Sequence, residues 1–392
     1  MINNSSTIMK LICTSCGKEF NANEKNNLCV SCGKVLYPKY NLEKAKETLS
    51  KQSISIRKVF NIWRMNEIMP VINPKYRITL GEGWTPIIQL KNLGDALDLK
   101  KLYIKDEGQN PTGTFKSRGL CAAVSKALEL GITDFVMPSA GNAGAALSAY
   151  CAHAGVKAHV FVPNDTPQFI QKEIKYMGGE LTLVEGLISD AGKKAKQAEI
   201  NNGWFSVSTL KEPYRVEGKK TMGLELAEQF DWDLPDVIVY PTGGGTGILG
   251  MWKAFEELEI LGLIGSERPK MISVQPVGCQ PIVQAFKNGE KYAKPWENAH
   301  SLAGGIRVPS AIGDYLILNT LRESKGSAIA IDDFEIKEAM YMLAKMEGIM
   351  LSPEAAATII ATEKLAETGF LDQTDRIVLF GTGSGFTTPN EW

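Results

Sequence analysis

From Leu99 onward the chain repeats one beat, a short apolar β-rich run followed by a turn and a helical stretch, and that beat leaves few folds open. Leu102 to Lys105, Phe135 to Met137, Ala158 to Val162, Leu181 to Val184, Phe205 to Val207, Val237 to Tyr240, Met271 to Val274 and Ile377 to Phe380 read as strands. Helical spacing follows Lys116 and Gly247 and covers Asn142 to Ala154, Gln168 to Met177, Asp190 to Asn201 and Gly218 to Gln229. Such alternation predicts parallel sheets with helices on both faces. A chain of 392 residues exceeds the usual single domain, so two α/β lobes are expected.

The turns between these elements carry the chemistry. Asn110-Pro111-Thr112-Gly113-Thr114-Phe115-Lys116-Ser117-Arg118-Gly119 begins with turn dipeptides and runs into an apolar helical pattern, Leu120, Val124, Ala127 and Leu128, with Gly131 as its stop. Lys116 therefore stands at a helix N-terminus, where the dipole and nearby Arg118 disfavour its charged form and favour an amine able to attack a carbonyl. A lone lysine there would read as a solvated surface residue, but three glycine-rich turns accompany it. Pro241-Thr242-Gly243-Gly244-Gly245-Thr246-Gly247 leaves a buried-type strand and opens a helix, so free N–H groups and a helix dipole converge as in a phosphate cradle. No Gly-Lys-Ser/Thr follows, which excludes a P-loop, and the dinucleotide fingerprint fits poorly, so a monophosphate is the better ligand. Ser139-Ala140-Gly141-Asn142-Ala143-Gly144 stands at another strand end, offering N–H groups for a carboxylate and the Asn142 amide for an oxygen. Gly381-Thr382-Gly383-Ser384-Gly385 presents hydroxyls that can bond a pyridine nitrogen. Amine, monophosphate cradle, amide and hydroxyl together match the needs of pyridoxal phosphate.

The N-terminus carries a separate signal. Cys13-Thr14-Ser15-Cys16-Gly17-Lys18 and Cys29-Val30-Ser31-Cys32-Gly33-Lys34 are two copies of one pattern, and four thiolates from two tight turns suit tetrahedral zinc. A structural zinc ribbon over residues 1–40 is expected, too small to build its own core. The other thiols, Cys121, Cys151 and Cys279, bring the total to an odd seven and do not resemble a secreted disulfide framework. With 43 basic and 44 acidic side chains the net charge is -1, which argues against a nucleic-acid or membrane-surface partner and for small molecules. No apolar run reaches the roughly 18 to 20 residues of a membrane span and the first residues are polar, so a cytoplasmic protein is expected.

Asn110 to Gly119, Ser139 to Gly144 and Gly243 to Gly247 resemble the lysine motif, asparagine loop and phosphate loop of the fold-type-II pyridoxal-phosphate enzymes. Gly81-Glu82-Gly83-Trp84-Thr85-Pro86, Arg215-Val216-Glu217-Gly218-Lys219-Lys220-Thr221 and Thr382 to Gly385 are similar to the threonine synthases among them. The resemblance runs from about Leu80 to Gly385, and relatives also carry an N-terminal four-cysteine ribbon. It implies a two-lobed, tryptophan-synthase-β-like fold with a cleft. The small lobe would cover residues 108–203 and be inserted into a large lobe, of which residues 41–107 form the connector and first part and 204–392 the remainder. It implies Lys116 as the residue that holds the cofactor as a Schiff base and moves protons, Asn142 on the ring 3′-oxygen, Gly243, Gly244, Gly245, Thr246 and Gly247 on its phosphate, and Thr382 on the pyridine nitrogen. Ser139 would serve the substrate, and Arg215 its phosphate. The implied reaction converts O-phosphohomoserine and water to threonine and phosphate, in a homodimer. Two departures stand out. Ala143 replaces a threonine found in many relatives, and Thr209 to Tyr214 lacks their Asn and Ser, leaving Lys211 as a substitute charge. The alternative is a related enzyme doing β-elimination or β-replacement, such as a serine/threonine dehydratase or a cysteate-synthase-like enzyme. A zinc-ribbon binding protein whose large lobe has lost catalysis is disfavoured by the intact Lys116 constellation.

Overall fold

A computed structural model describes residues 5–139, 141–186 and 188–391. The chain divides into two compact units, one of Met1–Trp84 with Lys116–Thr221 and the other of Thr85–Phe115 with Met222–Trp392. These divisions fall at Trp84, Phe115 and Thr221, whereas the extent of the cysteine module and the family resemblance place boundaries at 40, 107 and 203.

In the first unit a parallel sheet runs in the order Glu180–Val184, Lys157–Pro163, Asp134–Pro138, Phe205–Ser206. Lys157–Pro163 is buried along all but its first residue, as expected of a strand covered on both faces. Helices Lys116–Glu129 and Asn142–Ala154 pack against each other, and Leu120, Val124, Ala145, Leu147, Phe135 and Val160 belong to one core with them. Two glycines allow another close approach: a Cβ on Gly218 would lie 2.0 Å from the Arg118 carbonyl oxygen, and one on Gly119 would lie 3.0 Å from that of Arg215. Helices Lys116–Glu129 and Arg215–Gln229 therefore touch within their first turns. The N-terminal module is a three-stranded antiparallel sheet, Glu19–Phe20, Ile8–Cys13 and Leu36–Tyr40. Its Leu11, Cys13, Ala22, Cys29 and Leu36 join the same core, so the module is packed into this unit.

The second unit holds a six-stranded sheet in the order Ser327–Ile331, Lys270–Pro276, Val237–Pro241, Ile377–Gly381, Leu102–Asp106, Ile87–Gln89. Val237–Pro241 and Ile377–Gly381 are buried at every position and form its centre. Five strands are parallel as expected, but the edge strand Ile87–Gln89 is antiparallel to Leu102–Asp106. The connection between those two holds only the short helix Lys91–Ala96. Helices Asp333–Glu347 and Pro353–Glu367 pair with each other, and Ile336, Leu343, Ala357 and Ile359 sit in this unit's core. Among the described residues no helix is long and apolar enough to cross a membrane.

Candidate active site

In the second unit three neighbouring parallel strands, Val237–Pro241, Ile377–Gly381 and Leu102–Asp106, end on the same side. Ligands of open α/β sheets bind beyond such ends. The first releases Gly243 to Gly247, the second Thr382, and the third the loop toward Phe115. The last two are stitched together: Ser384 N–H donates to Gly113 O at 2.9 Å, and Phe115 N–H to Thr382 O at 3.0 Å. Lys116 is the next residue along the chain.

The glycine loop leads into helix Thr246–Ile260, whose N-cap Gly245 has φ +84 and whose end carries no side-chain cap. Its first N–H groups point away without intrahelical partners, as at any helix start. Side chains are kept off the loop on both flanks. A Cβ on Gly243 would come 2.8 Å from the Gly305 carbonyl oxygen, and one on Gly247 would come 1.8 Å from the Tyr240 hydroxyl oxygen. An uncapped helix end behind a bare glycine loop fits a phosphate ester. Thr382 is buried.

In the first unit, Lys116 is the first residue of its helix and is half-buried. Arg118 is fully buried and donates through Nη1 to Thr221 Oγ1 at 2.9 Å, which ties this helix to the one beginning at Arg215. Asn142 opens helix Asn142–Ala154 behind N-cap Gly141, again with no side-chain cap. Ala140 lies outside the described residues. The Ser139 hydroxyl is engaged by its own loop, accepting from Gly144 N–H at 3.0 Å and Gly141 N–H at 3.3 Å and donating to Gly141 O at 3.1 Å. It shapes the turn that carries Asn142.

Strand Phe205–Ser206, the neighbour of Asp134–Pro138, leads through a turn to Arg215. The Arg215 guanidinium is buried, and its Nη1 donates to Val207 O at 2.6 Å while Nε is buried without a hydrogen-bond partner among the described residues. Burial pulls its pKa below the ordinary arginine value, opposed by the charge of Glu212. Glu212 caps the helix start by accepting from Tyr214 N–H at 2.7 Å and Arg215 N–H at 2.9 Å. Burial pushes the Glu212 carboxyl up to about 7 against the pull of Arg215 and these N–H groups. Lys211 is exposed on the preceding turn. Lys116, Ser139, Asn142, Lys211 and Arg215 thus belong to one unit, and Gly243 to Gly247 with Thr382 to the other.

One organising residue was not legible as such in the sequence. Glu82 is fully buried, and its carboxylate accepts from Thr79 Oγ1 at 3.0 Å, Leu80 N–H at 3.0 Å, Cys121 Sγ at 3.2 Å and Tyr150 Oη at 2.6 Å. Cys121 and Tyr150 lie on the helices that begin at Lys116 and Asn142, so one carboxylate ties both to the Gly81–Trp84 loop. The glycine-flanked Glu82 was the available signal; its partners were not.

In the N-terminal module the four predicted ligands Cys13, Cys16, Cys29 and Cys32 cluster, with all Sγ atoms within 4.8 Å of one another. The separations Cys13–Cys32, Cys16–Cys32 and Cys16–Cys29 are 3.4, 3.6 and 3.7 Å. A zinc–sulfur bond of about 2.3 Å puts tetrahedral ligands about 3.8 Å apart, so the cluster fits the metal. Although burial opposes it, the N–H groups of Ser31 and Cys32 bring the Cys29 thiol down to about 6.

Residues 78–383 match the model of the family described as pyridoxal-phosphate dependent enzyme. The chain is 35% identical to the threonine synthase of Methanocaldococcus jannaschii over 96% of its own length and 93% of that protein's. The chain belongs to the threonine synthase family. The threonine synthase of Methanosarcina acetivorans is 34% identical, over 95% of this chain and 91% of that one. Threonine synthases and their kin are lyases that depend on pyridoxal phosphate, and the chain is an enzyme of this class. Among solved structures, maize serine racemase superimposes with a TM-score of 0.67 at 22% identity, covering 77% of this chain and 88% of that one. Threonine deaminase isoform 2 of Solanum lycopersicum does so with a TM-score of 0.66 at 21% identity, covering 76% and 79%. These two share the fold-type-II architecture; the identity over nearly the full chain lies with threonine synthases, which does not favour the dehydratase alternative.

Proposed function

We propose that the chain converts O-phospho-L-homoserine and water to L-threonine and inorganic phosphate. The observation that carries this reading is a likeness to threonine synthases that extends over 96% of the chain, beyond residues 78–383 of the general family and into the cysteine module. When bound, pyridoxal phosphate supplies an electron sink that makes hydrogens on the substrate's Cα and Cβ acidic.

Lys116 would hold the cofactor through its amine and, once released, take the proton from Cα and return protons along the substrate. N–H groups of Gly243, Gly244, Gly245, Thr246 and Gly247 would bind the cofactor's phosphate. Asn142 would donate to its 3′-oxygen and the Thr382 hydroxyl to its pyridine nitrogen, which leaves that nitrogen without a formal proton. Arg215 would pair with the phosphate leaving from Cγ, since a planar guanidinium suits a dianion and its buried Nε has no hydrogen-bond partner among the described residues. Lys211 would add charge on the same turn, and Ser139 would shape the loop that receives the substrate carboxylate. Water adds at Cβ after phosphate departs. A homodimer is what the resemblance to the family implies, a cytoplasmic location is part of the same proposal, and the net charge of -1 speaks against a nucleic-acid partner.

Lys116→Ala tests the core of the assignment. The variant should fold, lose the visible absorbance of the attached cofactor, and fall at least about a thousandfold in turnover. Retention of both would overturn the placement of the centre.

A further inference from the structure

The loop between the two cysteine pairs reaches well beyond the metal-ligand cluster. Asn27, two residues before Cys29, donates from its side-chain amide to two main-chain carbonyls, Ser206 O at 2.9 Å and Lys211 O at 3.0 Å. Those carbonyls bracket one turn. Within it Lys211 N–H donates to Ser208 O at 3.0 Å, and Leu210 is held at φ +56 in the left-handed region. A leucine there is strained and stays only because its surroundings hold it. The same loop adds Lys25, whose Nζ donates to Gly203 O at 2.8 Å and Trp204 O at 3.3 Å, and the Ala22 carbonyl, which accepts from Tyr214 Oη at 3.4 Å.

The far side of this turn holds the arginine. Arg215 Nη1 donates to Val207 O, one residue beyond the carbonyl that Asn27 binds, and the Arg215 main chain is fixed by Glu212 just past Lys211. The guanidinium is thus aimed by a strained turn, and that turn is clamped at both ends by an amide two residues from a metal ligand.

The geometry points to a positioning role for the cysteine module: through Asn27, an ordered metal cluster holds the Ser206–Lys211 turn and so aims Arg215 at the phosphate of the substrate. This rests on the reading of Arg215 as the ligand of that phosphate. The module then does more than staple the N-terminus. Loss of the metal or of Asn27 lets the turn relax, and the guanidinium loses affinity for a dianion without any change in the residues that hold the cofactor.

The test compares Asn27→Ala, Arg215→Ala and the parent as cofactor-loaded, zinc-loaded protein with O-phosphohomoserine. Asn27→Ala should raise KM about tenfold, with kcat within about twofold, through two lost hydrogen bonds. Its zinc content and cofactor absorbance should stay unchanged, while hydrogen exchange at the amides of Val207 to Lys211 quickens. Stripping the metal from the parent should give the same rise in KM and the same exchange. If Arg215→Ala raises KM while Asn27→Ala changes neither KM nor exchange, the positioning role is overturned and the reading of Arg215 stands. If Arg215→Ala leaves KM unchanged, the phosphate reading itself falls, and this inference with it.

Discussion

In the unit built on the six-stranded sheet, the groups offered beyond the strand ends are main-chain N–H groups and the hydroxyl of Thr382, and glycines keep other side chains away from them. In the unit built on the four-stranded sheet the candidate groups are an amine, an amide and a guanidinium, each at the start of a helix held by buried polar partners such as Glu82, Arg118 and Glu212. The contrast matches the roles proposed for each. A phosphate ester needs a fixed shell of N–H groups, which a backbone supplies with little freedom to lose. Proton transfer and the capture of a departing dianion need side chains, whose aim depends on the hydrogen bonds behind them.

That contrast predicts different modes of failure. In the backbone-built unit, adding one carbon should be enough. Gly247→Ala forces a Cβ to 1.8 Å from the Tyr240 hydroxyl oxygen, whereas Gly304→Ala meets nothing within 4 Å among the described residues. Gly247→Ala should lose about 3 kcal/mol or more of stability together with its cofactor absorbance, and Gly304→Ala should lose neither, as read by denaturant unfolding. Equal behaviour of the two would show that the loop tolerates a side chain at Gly247.

In the side-chain-built unit the smaller expected effect is one of pH. Burial raises the folded-state pKa of Glu212 from 4.5 to about 7. Between those values the folded state binds the extra proton, so the contribution of Glu212 is full below about 4.5 and is lost as pH rises through about 7. Glu212→Gln keeps an oxygen for the Tyr214 and Arg215 N–H groups but does not titrate. It should flatten the decline in stability between pH 4.5 and about 7 by about 2 kcal/mol, measured by unfolding across that range. An unchanged slope would show that Glu212 does not carry this dependence.

The strand–helix beat made most of the fold legible because buried parallel strands are continuous apolar runs. Val237–Pro241 and Ile377–Gly381 are buried throughout, and helix Asn142–Ala154 has the limits its spacing predicts. Ser327–Ile331 escaped because it is an only partly buried edge strand whose apolar run, Ala328 to Ile331, is short and half alanine. The helix expected from Gly218 begins at Arg215 because Glu212 caps it across Pro213, an arrangement that no short capping pattern announces. The site divides the same way. The glycine loops, Lys116 and the four cysteines are local patterns. The clamps behind them are not: Glu82 meets Cys121 and Tyr150 across 39 and 68 residues, and Asn27 meets Ser206 across 179.

The reaction is tested most simply by product analysis of the purified, cofactor-loaded enzyme with O-phosphohomoserine, run beside phosphoserine, serine and threonine. Threonine and inorganic phosphate are expected in equal amounts from O-phosphohomoserine, with little turnover of the others. Turnover of serine, threonine or phosphoserine to a ketoacid or a β-replacement product, with O-phosphohomoserine left intact, would contradict it.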